Sequence, residues 1–200
     1  MATAGIMAGG MAGPALASTQ SHERYASAAV TADWRSRVRL PSGFELTTWF
    51  VGVFPSSGRT YSQLYKQVIK CQKVNGRERC RLVSFSFGFT RSLSATQFTW
   101  DRKHLQSAHL AATYKVRTFR PKKPAQTSKV TIVAAWTGTG KITHSGGVST
   151  FHSKCIHYHN TFRGRNRKAT ATGSANGTSL GTARGAALST QVNVILDHTC

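Results

Sequence analysis

The chain has 200 residues with 40% apolar content, enough for one domain with its own core, so no cross-link is needed merely to reach a foldable size. Lysine and arginine number 27 against 6 aspartates and glutamates, a formal charge of +21 with a pI near 11.0. That balance excludes an ordinary near-neutral soluble protein and points to a polyanionic partner: nucleic acid, anionic lipid or an acidic envelope polymer.

Residues 1–17, MATAGIMAGGMAGPALA, form an uncharged run in which Ala15, Leu16 and Ala17 supply the small-x-small pattern that signal peptidase accepts. The reading is a signal-peptide-like segment and a secreted, extracellular product. Glycines and Pro14 break the run, and no later stretch approaches the roughly 18 apolar residues a spanning helix needs, so no transmembrane span is expected in the mature chain. Residues 18–36 are rich in Ala, Ser and Thr without a sustained period and are expected to be a flexible arm, leaving 37–200 as a single β domain.

From residue 44 onward, apolar alternation predicts strands over 44–54, 61–74, 77–90, 94–100, 109–119, 129–137, 149–163, 167–175 and 187–197. Pro55 to Gly58, Asn75-Gly76, Arg120 to Ser128, Gly138 to Gly147 and Gly173 to Gly185 punctuate them. About nine strands at this spacing, with almost no helix, predict an antiparallel β-sandwich or barrel. Four cysteines in an exported chain suggest two disulfides, Cys71 with Cys80 and Cys155 with Cys200.

CQKVNGRERC, residues 71–80, carries the strongest local signal, because Asn75-Gly76 centres a two-residue turn and fixes every partner. Paired positions then sum to 151, and Cys71 falls opposite Cys80 at a non-hydrogen-bonded pair. Continued inward, the same register pairs Val83 with Val68 and Phe87 with Leu64, which makes Phe85, Phe87 and Phe89 a core face. Toward the turn that face carries Arg81 with Lys70, Arg79 with Gln72 and Arg77 with Val74. Unpaired burial of these cations would be prohibitive, so the tip is expected to project as a stapled basic finger of two strands without packing support.

Arg-x-Arg-x-Arg recurs at Arg35, Arg37, Arg39; at Arg77, Arg79, Arg81; and at Arg163, Arg165, Arg167 followed by Lys168. On a strand each triplet lines one face at about 6.8 Å per step, comparable with successive phosphates of an extended polymer. Lys70, Arg77, Arg79, Arg81, Arg163, Arg165, Arg167 and Lys168 are therefore the candidate ligand contacts, and guanidinium favours forked bonds to phosphate or carboxylate. His157 and His159 share a strand face and could meet one Zn²⁺ or Cu²⁺, or act as acid and base on a phosphodiester. TGTGKI, residues 137–142, resembles a phosphate loop but has Ala135 and Ile142 where the motif requires Gly and Ser or Thr.

At AAWTGTGKI, residues 134–142, and RKATATGSANG, residues 167–177, the chain resembles a loose set of small secreted β-rich bacterial proteins of unknown function. The resemblance implies export and an all-β domain with disulfides, and it carries no catalytic residue. The expectation is a secreted basic β domain that binds polyanions, an envelope polymer or extracellular nucleic acid, without catalysis and without a cofactor. The alternatives are a small secreted nuclease or metal-dependent hydrolase using the His152–His159 cluster, and a structural or surface-adhesion protein.

Overall fold

A computed structural model describes residues 19–56, 58–154 and 156–199. The signal-like segment 1–17, Cys155 and Cys200 lie outside the described residues. The strands in chain order are β1 (Thr19–Leu40), β2 (Gly43–Ser56), β3 (Arg59–Val74), β4 (Arg77–Thr90), β5 (Phe98–Trp100), β6 (Ser107–Arg120), β7 (Lys123–Gly138), β8 (Thr143–His152), β9 (Ile156–Ala175), β10 (Thr178–Thr182) and β11 (Gly185–Thr199). Among the described residues there is no helix, and every ladder is antiparallel. The ladders run β11-β1-β2-β3-β4-β6, and β7 pairs with both β6 and β9 while β9 pairs with β11. Eight strands therefore form a circuit that returns on itself.

Period-two alternation decides what fills this circuit. Val30, Ala32 and Trp34 on β1 are buried, as are Val51 and Val53 on β2, Leu64 on β3, Leu110, Ala112, Tyr114 and Val116 on β6, and Ile132, Ala134 and Trp136 on β7. Bulky side chains face small ones. Gly173 lies on β9 where an added Cβ would meet Trp34 at 2.9 Å, and Gly88 on β4 is crowded by Tyr114 and Val116 at 3.0 Å each. The buried polar atoms find partners, as their desolvation requires. Trp34 Nε1 donates to the Gly181 carbonyl at 3.2 Å and Trp136 Nε1 to that of Thr31 at 2.8 Å. Ser62 donates to the Gly52 carbonyl at 2.9 Å, so the Tyr114 hydroxyl, 2.5 Å from Ser62 Oγ, is the donor in that second bond. Burial pushes the Tyr114 phenol up to about 12.

Segment 91–106 closes one end, with Leu93, Phe98 and Leu105 buried against the core. At the other end β1 to β4 run on past the circuit as a four-stranded tip sheet. Beyond the closed end, β8, β9, β11 and the first part of β1 form a second four-stranded sheet.

Several expectations need correction. The arm expected over 18–36 is most of β1, held between β11 and β2, because its alternating core positions Ala28, Val30, Ala32 and Trp34 are mostly small. The strands expected at 149–163 and 167–175 are parts of two different elements, β8 and one continuous β9. The loops expected over 120–128 and 138–147 largely belong to β7 and β8. The tip is not two unsupported strands, since the β1–β2 hairpin flanks it.

Candidate polyanion-binding face

The hairpin register holds from the turn to Ile69, which pairs with Leu82, and Cys71 is bonded to Cys80 with their alpha carbons 4.0 Å apart. It then shifts. Val68 pairs with Ser84, so Val83 is the extra residue of a β-bulge and the pair sum changes from 151 to 152. One extra residue exchanges the two faces of a strand. Ser86 and Gly88 consequently face the core, whereas Phe87 and Phe89 are exposed, which overturns the core face expected from Phe85, Phe87 and Phe89. The smaller residues are what the circuit can accommodate beside Tyr114.

The expelled rings form an outer band. Tyr65 lies 6.0 Å from both Phe50 and Phe85 and 5.5 Å from Phe87, while Tyr61 stacks on Phe54 at 5.1 Å and meets Phe89 at 5.8 Å.

On the inner face, Leu64, Lys66, Val68, Lys70, Gln72 and Val74 follow one another along β3, and Lys70, Gln72 and Val74 pair with Arg81, Arg79 and Arg77. The three arginines are exposed and Lys70 is half-buried. Glu45, paired with Lys70 across the β2–β3 ladder, supplies that face's one carboxylate among the described residues of the tip sheet. The described ion pairs are elsewhere: Arg35 with Asp33 at 3.7 Å and His104 with Asp101 at 3.3 Å. Glu78 faces Lys73 on the opposite side. At the foot of the tip sheet is a cleft of about 470 Å³ lined by Trp49, Lys66, Ser86, Thr118, Ser128 and Asn176, among others. The Lys66 ammonium stands 4.6 Å over the Trp49 ring. Trp49 is one of several aromatics that sequence alone assigns to the core rather than to stacking, and Lys66 is not singled out, because only the register shows that they continue the row of Lys70 and Arg81.

Arg35, Arg37 and Arg39 occupy the other face of the same sheet, pairing with Thr48, Leu46 and Phe44. Arg37 caps the Phe44 ring at 3.6 Å. The third triplet is remote. Arg165 donates to the carbonyls of Lys103 at 2.9 Å and Arg102 at 3.0 Å, and Arg167 to those of Gly140 at 3.1 Å and His104 at 3.2 Å. These two guanidiniums thus tether the closing segment. Arg163 and Lys168 are exposed on the same strand, with Lys168 on the face opposite Arg167. The two candidate clusters lie toward opposite ends of the circuit.

His157 and His159 are both exposed, and His157 shares a hydrogen bond with His152 across the β8–β9 turn, 2.8 Å between Nδ1 atoms, rather than meeting His159. His159 Nε2 is 3.3 Å from Thr161 Oγ1. Cys71, Glu78 and Cys80 bring three metal-ligand atoms within 4.8 Å, yet both sulfurs are spent in the disulfide. No family model matches the chain, and neither a curated protein nor a solved structure shows significant similarity to it.

Proposed function

We propose that the protein is an exported β-barrel that binds an extended phosphodiester polymer along the inner face of its tip sheet, without catalysis. The observation that carries this reading is the register that sets Lys70, Arg77, Arg79 and Arg81 on one face, continuous with the Lys66 and Trp49 cleft and opposed by the single carboxylate of Glu45. A row of cations repeating at about 6.8 Å follows a phosphate backbone, and an indole at the end of the row offers a stacking surface for a base or sugar. Arginine supplies the forked geometry that phosphate oxygens accept.

The closed ladder circuit with an apolar interior supports the barrel. The outward rows of β6, β7 and β9 include His109, Thr113, Thr131, Thr170 and Thr172, the reverse of a membrane barrel, whose apolar band faces out. Export is supported by the disulfide and by the signal-like segment. A second disulfide, Cys155 with Cys200, is supported by the β9–β11 ladder, in which Ile156 pairs with Thr199 and the next step in sequence on each strand is a cysteine.

The test measures anisotropy of a labelled single-stranded oligonucleotide and, separately, of a polyol phosphate of similar length. The reading expects binding that weakens steeply with salt, and the tighter of the two ligands identifies the source. No binding to either, or binding indifferent to salt, would sink it. Cleavage of the oligonucleotide would move the assignment to a nuclease.

A further inference from the structure

The bulge at Val83 leaves an apolar face on the outside of β2, β3, β4 and β6. Two rows cross the first three of these strands: Leu46, Ile69 and Leu82 are successive partners, and so are Phe50, Tyr65 and Phe87. Phe119 of β6 joins the same face opposite Phe85. Leu82, Phe87, Phe89 and Phe119 are each between 37% and 44% exposed, although burial would stabilise every one of them. From Tyr61 to Ile69 the band runs about 27 Å along β3, and three ladders make it about 14 Å wide. Continuous apolar surface on the order of 400 Å² marks an interaction site.

Charge selects what covers this face. Arg35, Arg37 and Arg39 flank it on β1, paired with Thr48, Leu46 and Phe44, and Lys115 and Arg117 flank it on β6. All five cations are exposed. Two of them border the rings directly, Arg37 over Phe44 at 3.6 Å and Arg117 over Phe119 at 5.1 Å. Among the described residues the carboxylates of this face are Asp33, 3.7 Å from Arg35, and Glu78, paired with Lys73. A second copy docked here would press one cationic border against another. A row of stacked bases would need free ring faces, whereas Tyr65 is packed among Phe50, Phe85 and Phe87 at 5.5 to 6.0 Å. Rings and aliphatic chains framed by cations match an anionic bilayer surface, where apolar groups enter the headgroup boundary and guanidiniums meet lipid phosphates.

We propose that this face docks on the surface of an anionic phospholipid bilayer, with Leu82, Phe87, Phe89 and Phe119 entering the interface and Arg35, Arg37, Arg39 and Arg117 on the lipid phosphates. The barrel lies on the membrane rather than across it, because the outward rows of β7 and β9 carry Thr131, Thr170 and Thr172. Lys70, Arg77, Arg79 and Arg81 occupy the opposite face of the same strands, so the assignment does not rest on polymer binding.

Co-sedimentation of the whole protein with vesicles of phosphatidylcholine alone, and of roughly two parts phosphatidylcholine to one part phosphatidylglycerol, tests the assignment. Binding is expected to the mixed vesicles and not to the neutral ones. Phe87→Ser, Phe89→Ser and Phe119→Ser together keep every charge and should weaken it at least about tenfold. Val133→Ser, at an exposed apolar residue on β7, should leave it unchanged. Arg35→Ala, Arg37→Ala and Arg39→Ala together should weaken it roughly a hundredfold, at about fivefold per cation. Circular dichroism establishes that the variants fold; if the triple aromatic variant does not, Phe119→Ser alone is measured and should weaken binding about threefold. Undiminished vesicle binding by the aromatic variant would reduce the attraction to diffuse charge and overturn the proposal, as would equal binding to phosphatidylcholine alone. Loss of oligonucleotide binding in the aromatic variant would overturn it in favour of the polymer, and a dimer that this variant abolishes would overturn it in favour of a second copy.

Discussion

Replacing Arg77, Arg79 and Arg81 together with alanine removes three exposed cations from the inner face, while Arg35, Arg37 and Arg39 replaced in the same way remove equal charge from the outer face of the same sheet. The net charge of both variants is +18, from +21 less three. Their long-range fields are therefore nearly alike, and only the placement of charge differs. Each single-stranded phosphate contact contributes about 0.7 to the slope of log K against log salt. If Lys66, Lys70 and the three tip arginines each hold one phosphate, the slope is about −3.5 for the unaltered protein and about −1.4 for the tip variant. Between about 50 and 200 mM salt the first loses roughly a hundredfold in affinity and the second less than about tenfold. The assay is anisotropy of a labelled polymer titrated at four salt concentrations, with thermal unfolding to show that exposed-site changes cost within about 0.5 kcal/mol. Equal losses in both variants would reduce the role of the arginines to diffuse charge. An unchanged slope in the tip variant would remove the inner face from binding altogether.

Three further outcomes follow from the interior and the ladders. Tyr114 is held at about 12 against an ordinary 10.0, so the unfolded chain releases this proton first on alkalinisation; stability is intact below pH 10 and falls between about pH 10 and 12. The loss is about 2 to 3 kcal/mol, and Tyr114→Phe should remove this component from the pH profile of urea midpoints even if its own stability at neutral pH is lower. Gly173→Val places a branched side chain against the buried Trp34 ring and should lower stability by about 1 to 3 kcal/mol, whereas Thr172→Val, on the outward face, should be nearly neutral in the same melt. Peptide mapping of the air-oxidised protein without reductant should yield a Cys155–Cys200 cross-linked species beside Cys71–Cys80; free thiols at both positions would refute the second pair.

The local grammar of the chain is read more readily than its long-range geometry. Asn75-Gly76 places Cys71 against Cys80 from sequence alone, because a two-residue turn leaves no freedom in the first rungs. The same counting fails at Val83, six residues after Arg77 at the turn, since nothing in Leu82-Val83-Ser84 announces a bulge and phenylalanine is a better core residue than serine on any scale. What decides the matter is the space beside Tyr114 and Val116, contributed by a strand about 30 residues away in the chain. β1 is missed for a related reason: Ala28 and Ala32 are buried core residues, and alanine carries little hydropathy signal. The arginine triplets look equivalent in sequence, yet one tethers backbone carbonyls and another lines an open face. Only the pairing of distant strands separates them.

The ladder between β1 and β11 has a consequence for the order of folding. Thr19 to Asp33 pair with Gly185 to Thr199, so the circuit joins an early segment of the chain to a late one. The other ladders of β1 to β7 can form while synthesis continues, but the last seam cannot zip until nearly the whole described chain has emerged. An open circuit with unpaired edges at β1 is vulnerable to pairing with other chains, and contacts this far apart in sequence form slowly. A chain kept extended until it has crossed a membrane would meet both halves of the seam on the same side, and the staple at Cys71–Cys80 could close there before the seam does.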